Sequence, residues 1–319
     1  MQWICVVPGE VSRPLTDLYE HDAASAALAA DLLQEGFRSY VKTARPALEL
    51  ASICVAQLET QRGHPVRDVD AVIVACEDFD DLTNEVDQSR PSYRTWLNEI
   101  VAWMAANGLG NAYPYGNWLA GCGNMTSALS LARSLIIGGV HRRVLVTVMS
   151  VFRRGMTRGV HRTGSSVLSD AVACCLVSAE PDSGACYRID GIHVTADAKL
   201  STINRATDEI RYLFTFERGV RRAQQGAEVA FTKSLNAFDH VLVPNLSNRV
   251  LSASLDILRI PYQYPRRGLY PEIAHTGAPD HFFALLELQG SGDVKHGQAI
   301  LLFNPGLFCW DFVALTSFL

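Results

Sequence analysis

One stretch of the chain decides the fold: Trp118-Leu-Ala-Gly-Cys-Gly-Asn-Met-Thr-Ser-Ala-Leu-Ser-Leu-Ala132. It places a single cysteine, Cys122, between two glycines and follows it with apolar residues at the spacing of one helix face. The pattern predicts a helix over residues 123–137 that ends at the glycine pair 138–139. A helix N-terminus offers unpaired N–H groups and positive potential, which favour the thiolate of a cysteine placed there. Cys122 is therefore a candidate nucleophile, although a cysteine that only fills the core would give the same local pattern.

Strands and helices alternate along the rest of the chain. Before residue 178 the pattern predicts strands at 4–7, 144–149 and 171–177 and within 66–76, with helices at 45–58 and 93–106. After a polar break at 180–184 it predicts strands at 187–194, 240–243, 299–303 and 310–315, with helical segments at 202–238, 248–258 and 280–288. The last two strands read as a hairpin. The alternation predicts an α/β fold with mostly parallel strands and two similar halves, residues 1–178 and 179–319.

The composition excludes several classes of protein. Of the 319 residues, 48% are hydrophobic and 19% are charged, which is typical of a chain that folds around a large core. A net charge of −5 argues against nucleic-acid binding, and no apolar run reaches the roughly 18 residues of a membrane span. The eight cysteines form no C-x-x-C pair and no zinc spacing, so we expect reduced cysteines and no metal. Residues 1–10 lack the features of a signal peptide, and a cytoplasmic protein is expected.

Further motifs follow the Cys122 helix in order. They are Leu168-Ser-Asp-Ala-Val-Ala173, Asp239-His-Val-Leu-Val-Pro-Asn-Leu-Ser-Asn248 and Gly306-Leu-Phe-Cys-Trp310. They are similar to the Phe-Gly-Asp-Gly-Ala, Val-Pro-His-Gln-Ala-Asn and Gly-Gly-Gly-Phe-Thr-Trp segments of the thiolase-like superfamily, and most of the chain resembles its β-ketoacyl-ACP synthase III branch. The resemblance implies a duplicated, five-layered αβαβα fold with two mixed sheets, an acyl-thioester on the cysteine, and a homodimer.

Two positions depart from that branch. Where its condensing enzymes carry a catalytic histidine this chain has Asn245, and where they carry an asparagine it has His275. Both side chains donate hydrogen bonds, so the pair is a candidate for holding an oxyanion. Asp280 follows five residues after His275, and with Cys122 these two supply a nucleophile, a base and an acid that orients the base. A turn histidine at 275 and a helix cap at 280 are the alternative interpretations.

The segment His275-Thr-Gly-Ala-Pro-Asp280 resembles synthase-III-like acyltransferases of antibiotic pathways. Those enzymes move an acyl group to a carrier protein, a hydroxyl or an amine. The resemblance implies an acyltransferase of secondary metabolism that uses an acyl-CoA or an acyl carrier protein and holds no cofactor. A decarboxylative condensing ketosynthase is the alternative with the same fold. A non-catalytic partner subunit of a ketosynthase-like heterodimer is the alternative of another class.

A basic stretch lies between residues 138 and 169. It contains no acidic residue and six arginines, at positions 142, 143, 153, 154, 158 and 162. Arg153, Arg154 and Arg158 lie in a glycine-containing loop and are predicted to bind a phosphate of CoA or of a carrier protein. A solvated basic loop is the alternative. Asp170, which follows the stretch, is expected to hold loop backbone.

Overall fold

A computed structural model gives the structure of the protein. It describes residues 1–20, 23–76, 93–152, 158, 166–180, 184–204, 207–261, 265–266, 271–306 and 308–319. The strands are β1 (Gln2–Pro8), β2 (Val11–Pro14), β3 (Ser39–Lys42), β4 (Ala71–Cys76), β5 (Tyr113–Asn117), β6 (Arg143–Ser150), β7 (Ala171–Ser178), β8 (Tyr187–Ala196), β9 (His240–Leu242), β10 (Pro265–Arg266), β11 (Ala299–Pro305) and β12 (Cys309–Ser317). The α-helices are α1 (Ala23–Gln34), α2 (Ala47–Arg62), α3 (Tyr93–Ala106), α4 (Asn124–Ile137), α5 (Lys199–Thr202), α6 (Glu209–Phe231), α7 (Asn248–Leu258) and α8 (Asp280–Ser291). None of the helices within these ranges is long and apolar enough to cross a membrane.

Two five-stranded sheets repeat one pattern of pairing. The first has the strand order β1-β7-β6-β4-β5 and the second β8-β12-β11-β9-β10. Read in these orders, the first two pairings of each sheet are antiparallel and the last two are parallel. Both sheets are thus mixed, as the resemblance implied. The expectation of mostly parallel strands is wrong, because a tight hairpin such as β11–β12 forces adjacent strands to run in opposite directions.

The sheets and helices stack in five layers. Helices α4 and α8 lie between the sheets and share one core with side chains from both. Helices α2 and α3 pack on the outer face of the first sheet, and α6 and α7 pack on the outer face of the second. Alternation along the strands creates these faces: in β4, Ala71 and Ile73 join the inner core whereas Val72 and Val74 join the outer one. The order αβαβα is the architecture that the resemblance implied.

The first sheet's half and the second sheet's half meet at a short backbone bridge just before α8. His275 N donates to the carbonyl oxygen of Val167 at 3.0 Å, and Ser169 N donates to the carbonyl oxygen of His275 at 2.8 Å. The backbone of His275 is therefore fixed to the segment that leads into β7. Because α4 and α8 both begin in the middle layer, the residues at their N-termini lie inside the molecule.

Candidate active site

Cys122 lies in a short turn that leads directly into α4. This cysteine turn, Gly121–Gly123, is a single turn of 3-10 helix, and Cys122 within it is half-buried. Gly121 has φ +53°, a left-handed conformation that favours glycine. A Cβ on Gly123 would lie 2.3 Å from the Oδ2 atom of Asp311, so a larger residue has no space there. The two glycines beside Cys122 therefore have distinct causes, backbone conformation for Gly121 and close packing for Gly123.

The side chain of Asn124 fixes the cysteine turn to the first sheet. Its Nδ2 atom donates to the carbonyl oxygen of Cys76 at 2.8 Å, and its Oδ1 atom accepts from Ala120 N at 3.1 Å. Asn124 is fully buried at the first residue of α4. The sequence reasoning did not single out this residue. The available signal was an asparagine in the first turn of a helix whose buried face is otherwise mostly apolar.

Cys122, His275 and Asp280 form one continuous hydrogen-bonded chain. The Sγ atom of Cys122 lies 3.1 Å from Nε2 of His275, a residue 153 positions further along the chain. The other ring nitrogen of His275, Nδ1, lies 2.6 Å from Oδ2 of Asp280. His275 is 2% exposed and Asp280 is 1% exposed, so the more accessible member of the three is the cysteine. The structure thus brings together the three residues that the sequence placed in one hypothesis.

Asp280 is held in place by four donors. Its Oδ2 atom accepts from His275 Nδ1 and, at 2.7 Å, from Asn245 N. Its Oδ1 atom accepts from Thr276 N at 2.7 Å and from Thr276 Oγ1 at 2.6 Å. Asp280 is also the first residue of α8, where the helix dipole favours a negative charge. A carboxylate fixed in this way sets the orientation of the His275 ring.

The electrostatics of the site favour a charged imidazole. Burial by itself would lower the pKa of His275, but the Asp280 carboxylate and the Cys122 sulfur beside the ring together raise it well above its ordinary value. Burial would raise the pKa of Asp280, but His275 and the two hydrogen bonds from Thr276 hold it below its ordinary value. The group is thus arranged as an imidazolium between two groups that carry negative charge when ionised. Such an arrangement can maintain a thiolate and can donate and accept one proton.

Asn245 lies next to this chain, but its amide is engaged elsewhere. The Nδ2 atom donates to the carbonyl oxygen of Ile273 at 2.8 Å and to that of Ala274 at 3.4 Å. The backbone carbonyl oxygen of Asn245 accepts from Ser166 Oγ at 2.8 Å. The amide nitrogen therefore holds the segment that carries His275. The side chain of Asn245 thus contacts the backbone just before and at the start of the His275 segment, and its contact with an oxyanion stays a prediction.

Arg158 was predicted to contact a phosphate, but its side chain is buried. It is 4% exposed, and its guanidinium donates to Asp170 Oδ2 at 3.0 Å and to the carbonyl oxygen of Phe152 at 3.2 Å. Because the guanidinium is buried and paired with the Asp170 carboxylate, it does not present its charge to a phosphate in solvent. Asp170 also accepts from Thr43 N at 2.8 Å and Phe152 N at 2.9 Å, so it holds loop backbone as expected.

The remaining candidates for binding lie outside the described residues. Arg153 and Arg154, predicted to contact a phosphate, are in that part of the chain, as is Arg162. In the described ranges no group of three or more His, Cys, Asp and Glu side chains is placed to hold a metal ion.

Comparison with known proteins gives the fold a name. Neither protein-family models nor curated protein sequences match the chain. Among solved structures, the ChlB3 acyltransferase is 15% identical, with a TM-score of 0.80 over 99% of this chain and 97% of its own. The 3-oxoacyl-[acyl-carrier-protein] synthase III from Aquifex aeolicus VF5 is 16% identical, with a TM-score of 0.71 over 98% of each chain. Cerulenin-bound OleA from Xanthomonas campestris is 12% identical, with a TM-score of 0.76 over 98% of this chain and 95% of its own. Together with the repeated sheets and the five layers, these likenesses show that the protein has the thiolase-like fold.

Proposed function

We propose that the protein is an acyltransferase that carries the acyl group on Cys122. The observation behind the proposal is the chain from Cys122 Sγ to His275 at 3.1 Å and from His275 to Asp280 at 2.6 Å. It supplies a nucleophile, a proton carrier and a fixed counter-charge in the geometry that acyl transfer needs.

The first half of the proposed reaction loads the enzyme. The Cys122 thiolate attacks the carbonyl carbon of an acyl thioester and forms a new carbon–sulfur bond. The tetrahedral intermediate collapses by breaking the bond to the donor sulfur, which leaves as a thiolate. The His275 imidazolium gives its proton to that sulfur, so the acyl-enzyme holds a neutral imidazole beside a neutral thioester.

The second half transfers the acyl group. A hydroxyl or amine acceptor attacks the acyl carbon while neutral His275 takes the proton from the attacking oxygen or nitrogen. The bond to Cys122 Sγ then breaks, and the thiolate and the imidazolium are both restored. Asp280 stays ionised throughout and stabilises the imidazolium each time it forms.

The hydrogen bonds of the site favour this reaction over decarboxylative condensation. Condensation needs two donors at the carbonyl of a malonyl thioester as carbon dioxide leaves. Here the amide nitrogen of Asn245 donates to backbone carbonyls, and the ring nitrogens of His275 face Asp280 and Cys122. A non-catalytic partner subunit is less well supported, because such a subunit needs neither the nucleophile nor its buried base.

For the donor we propose an acyl-CoA or an acyl carrier protein, with Arg153 and Arg154 as phosphate contacts. One enzyme of the same fold is a 3-oxoacyl-[acyl-carrier-protein] synthase III. An acyltransferase, ChlB3, shares the fold as well. A role in secondary metabolism belongs to the same proposal.

We also propose a homodimer through the open edge of the first sheet. Strand β5 lies at the end of the sheet, and among the described strands none pairs with its outer side. Tyr113 on that strand is 60% exposed and Leu119 just beyond it is 82% exposed. Exposed apolar residues beside an edge strand fit a second copy of the chain. Light scattering of the protein and of Leu119→Glu tests this, with a shift toward the monomer expected for the variant.

Intact-mass spectrometry tests the acyltransferase proposal directly. The protein is incubated with a panel of acyl-CoA and acyl-carrier-protein thioesters that includes a malonyl donor, and Cys122→Ala is the matched control. We expect one added acyl mass on the protein and none on the variant. Addition of acceptor amines and alcohols should then remove the mass and release an ester or amide.

Three results would each contradict part of the proposal. Acyl addition to Cys122→Ala would show that another residue is the nucleophile. Stoichiometric carbon dioxide with a β-keto product from the malonyl donor would favour the condensing enzyme. No acylation by any donor, with the Cys122 thiol intact and accessible to alkylation, would favour the non-catalytic subunit.

A further inference from the structure

A second polar pair lies beneath the cysteine turn. Asn304 and Asp311 are direct partners across the β11–β12 hairpin, and each is 3% exposed. Along these strands Ile300, Leu302 and Val313 face the inner core, so the pair occupies the next inward positions. The apolar alternation is thus broken by two polar residues at the place where the hairpin meets the start of α4.

The carboxyl group of Asp311 packs against the residue that follows the nucleophile. A Cβ built on Gly123 would be 2.3 Å from Asp311 Oδ2 and 3.5 Å from Asn304 Nδ2. Cys309, on the same strand as Asp311, is influenced by both groups: burial first, then the charges of Asp311 and Cys122, raise its pKa to about 12. Asp311 and Cys122 thus both act on the thiol of Cys309, and the mechanism described above uses only Cys122.

Within the described part of the chain, no basic side chain pairs with the carboxyl group of Asp311. Among the described residues it makes no ion pair with a basic side chain, and its hydrogen bond from Asn304 Nδ2 is long, at 3.5 Å. Gly123 of the cysteine turn and Asn304 of β11 pack against it, and its partner on β8 is Val194. Cys309 on β12 is the thiol whose pKa it raises. Burial raises the pKa of Asp311 to about 7, opposed in part by the bond from Asn304. The group is thus a carboxylic acid that gains or loses its proton near neutral pH.

We propose that Asp311 is a positioning residue that holds a proton beneath the nucleophile, and that ionisation of Asp311 and of Cys122 oppose each other. Two negative charges in one buried region destabilise each other, so the pair titrates as a unit in which the second proton is harder to remove than the first. While Asp311 keeps its proton, it adds no negative charge near the Cys122 thiolate, which contacts His275 Nε2. Once Asp311 is ionised, the thiolate is less stable and the balance moves toward the thiol.

The titrations of Cys122 and Asp311 are measured on the protein alone, without an acyl substrate. Their outcome is therefore independent of whether the protein is an acyltransferase.

The test follows each group with its own signal. Thiolate formation is measured by ultraviolet absorbance as the difference between the protein and Cys122→Ser. The protonated carboxyl group of Asp311 is measured by its infrared carbonyl band as the difference between the protein and Asp311→Asn. Each titration is then repeated in the variant that lacks the other group. Cys309→Ala serves as control, since a thiol that stays neutral should move neither curve.

We expect the group that titrates at higher pH to shift downward by about one pH unit when the other is removed, a tenfold change in proton affinity. If Asp311→Asn does not fold, Asp311→Ser and the Cys122→Ser arm measure the same coupling. Absence of a protonated carboxyl band from Asp311 at mildly acidic pH would overturn the inference. So would titration curves that do not move in either variant, or that move as much in Cys309→Ala.

Discussion

Replacing Asp280 by asparagine removes one negative charge from the centre of the site with almost no change in shape. Each carboxylate oxygen of Asp280 accepts two hydrogen bonds. Oδ2 accepts from His275 Nδ1 and Asn245 N, and Oδ1 accepts from Thr276 N and Thr276 Oγ1. An amide has only one oxygen, and its nitrogen donates. Two of the four donors would therefore face another donor, and the imidazolium would lose its counter-charge.

The expected effect on stability is large because the site is buried. Removing one partner of a buried ion pair destabilises a protein by about 3–5 kcal/mol. Two buried donors without acceptors, at about 1–3 kcal/mol each, lead to a similar value. The expected loss in rate is about 10²–10⁴-fold, because the base loses both its orientation and the charge that stabilises its protonated form.

Two measurements on Asp280→Asn separate these effects. Denaturant unfolding gives the loss in free energy of unfolding, and the rate of Cys122 acylation is measured at a temperature where circular dichroism shows the variant folded. Thr276→Val is the matched control, since it removes one hydroxyl donor to Asp280 and keeps the charge. The control should lose about 1 kcal/mol of stability and little rate. An acylation rate of folded Asp280→Asn within tenfold of the original protein would contradict this role of the carboxylate charge. So would an equally large loss of rate in Thr276→Val.

Three further predictions concern neighbouring residues. His275→Ala should lower turnover more than Asn245→Ala, because an imidazole transfers protons near neutral pH whereas this amide is bound to backbone carbonyls; equal losses in steady-state rate would contradict the assignment. Since the pKa of folded His275 lies above the ordinary 6.5, its contribution to stability is complete below pH 6.5 and is lost as the pH rises through the folded value. The difference in free energy of unfolding between the protein and His275→Gln should therefore shrink as the pH rises above 6.5, and a constant or growing difference would be inconsistent with this sign. Asn124→Ala should cost about 1–3 kcal/mol and slow the alkylation of Cys122 by iodoacetamide, because Cys76 O and Ala120 N each lose a hydrogen bond that holds the cysteine turn; an unchanged rate would show that the turn holds without Asn124.

Periodicity revealed the elements that build the core, because burial leaves a local record in the sequence. The alternation of Val72 and Val74 with Ile73 marks a strand covered on both faces, and the apolar face after Cys122 marks α4. Strand β5 left no such record. Its sequence, Tyr113-Pro-Tyr-Gly-Asn117, carries proline and glycine, which an edge strand tolerates and a central strand does not.

The candidate site divides in the same way. Cys122 was predicted from its place between two glycines at a helix start, and His275 and Asp280 were predicted from the resemblance and from their separation of five residues. The roles of Asn124 and Asp311 could not be predicted, because they depend on contacts between distant segments. Asn124 contacts the carbonyl oxygen of Cys76, and Asp311 packs against Gly123. Arg158 shows the converse error. The composition of its loop predicted an exposed cation, but Asp170 lies twelve residues further on and pairs with it in the interior.

The two halves contribute corresponding helix N-termini to one site. Helix α4 follows β5 and precedes β6, while α8 follows β10 and precedes β11, so the two helices occupy the same place in the repeated architecture. Each N-terminus favours a negative charge: Cys122 lies two residues before α4, and Asp280 is the first residue of α8. His275 lies between them and directs one ring nitrogen to each. The packing of two central helices, rather than the conformation of a surface loop, therefore sets the distance from nucleophile to base. Neither half alone can hold the site, because each supplies only one of the two positions that favour an anion on either side of the imidazolium.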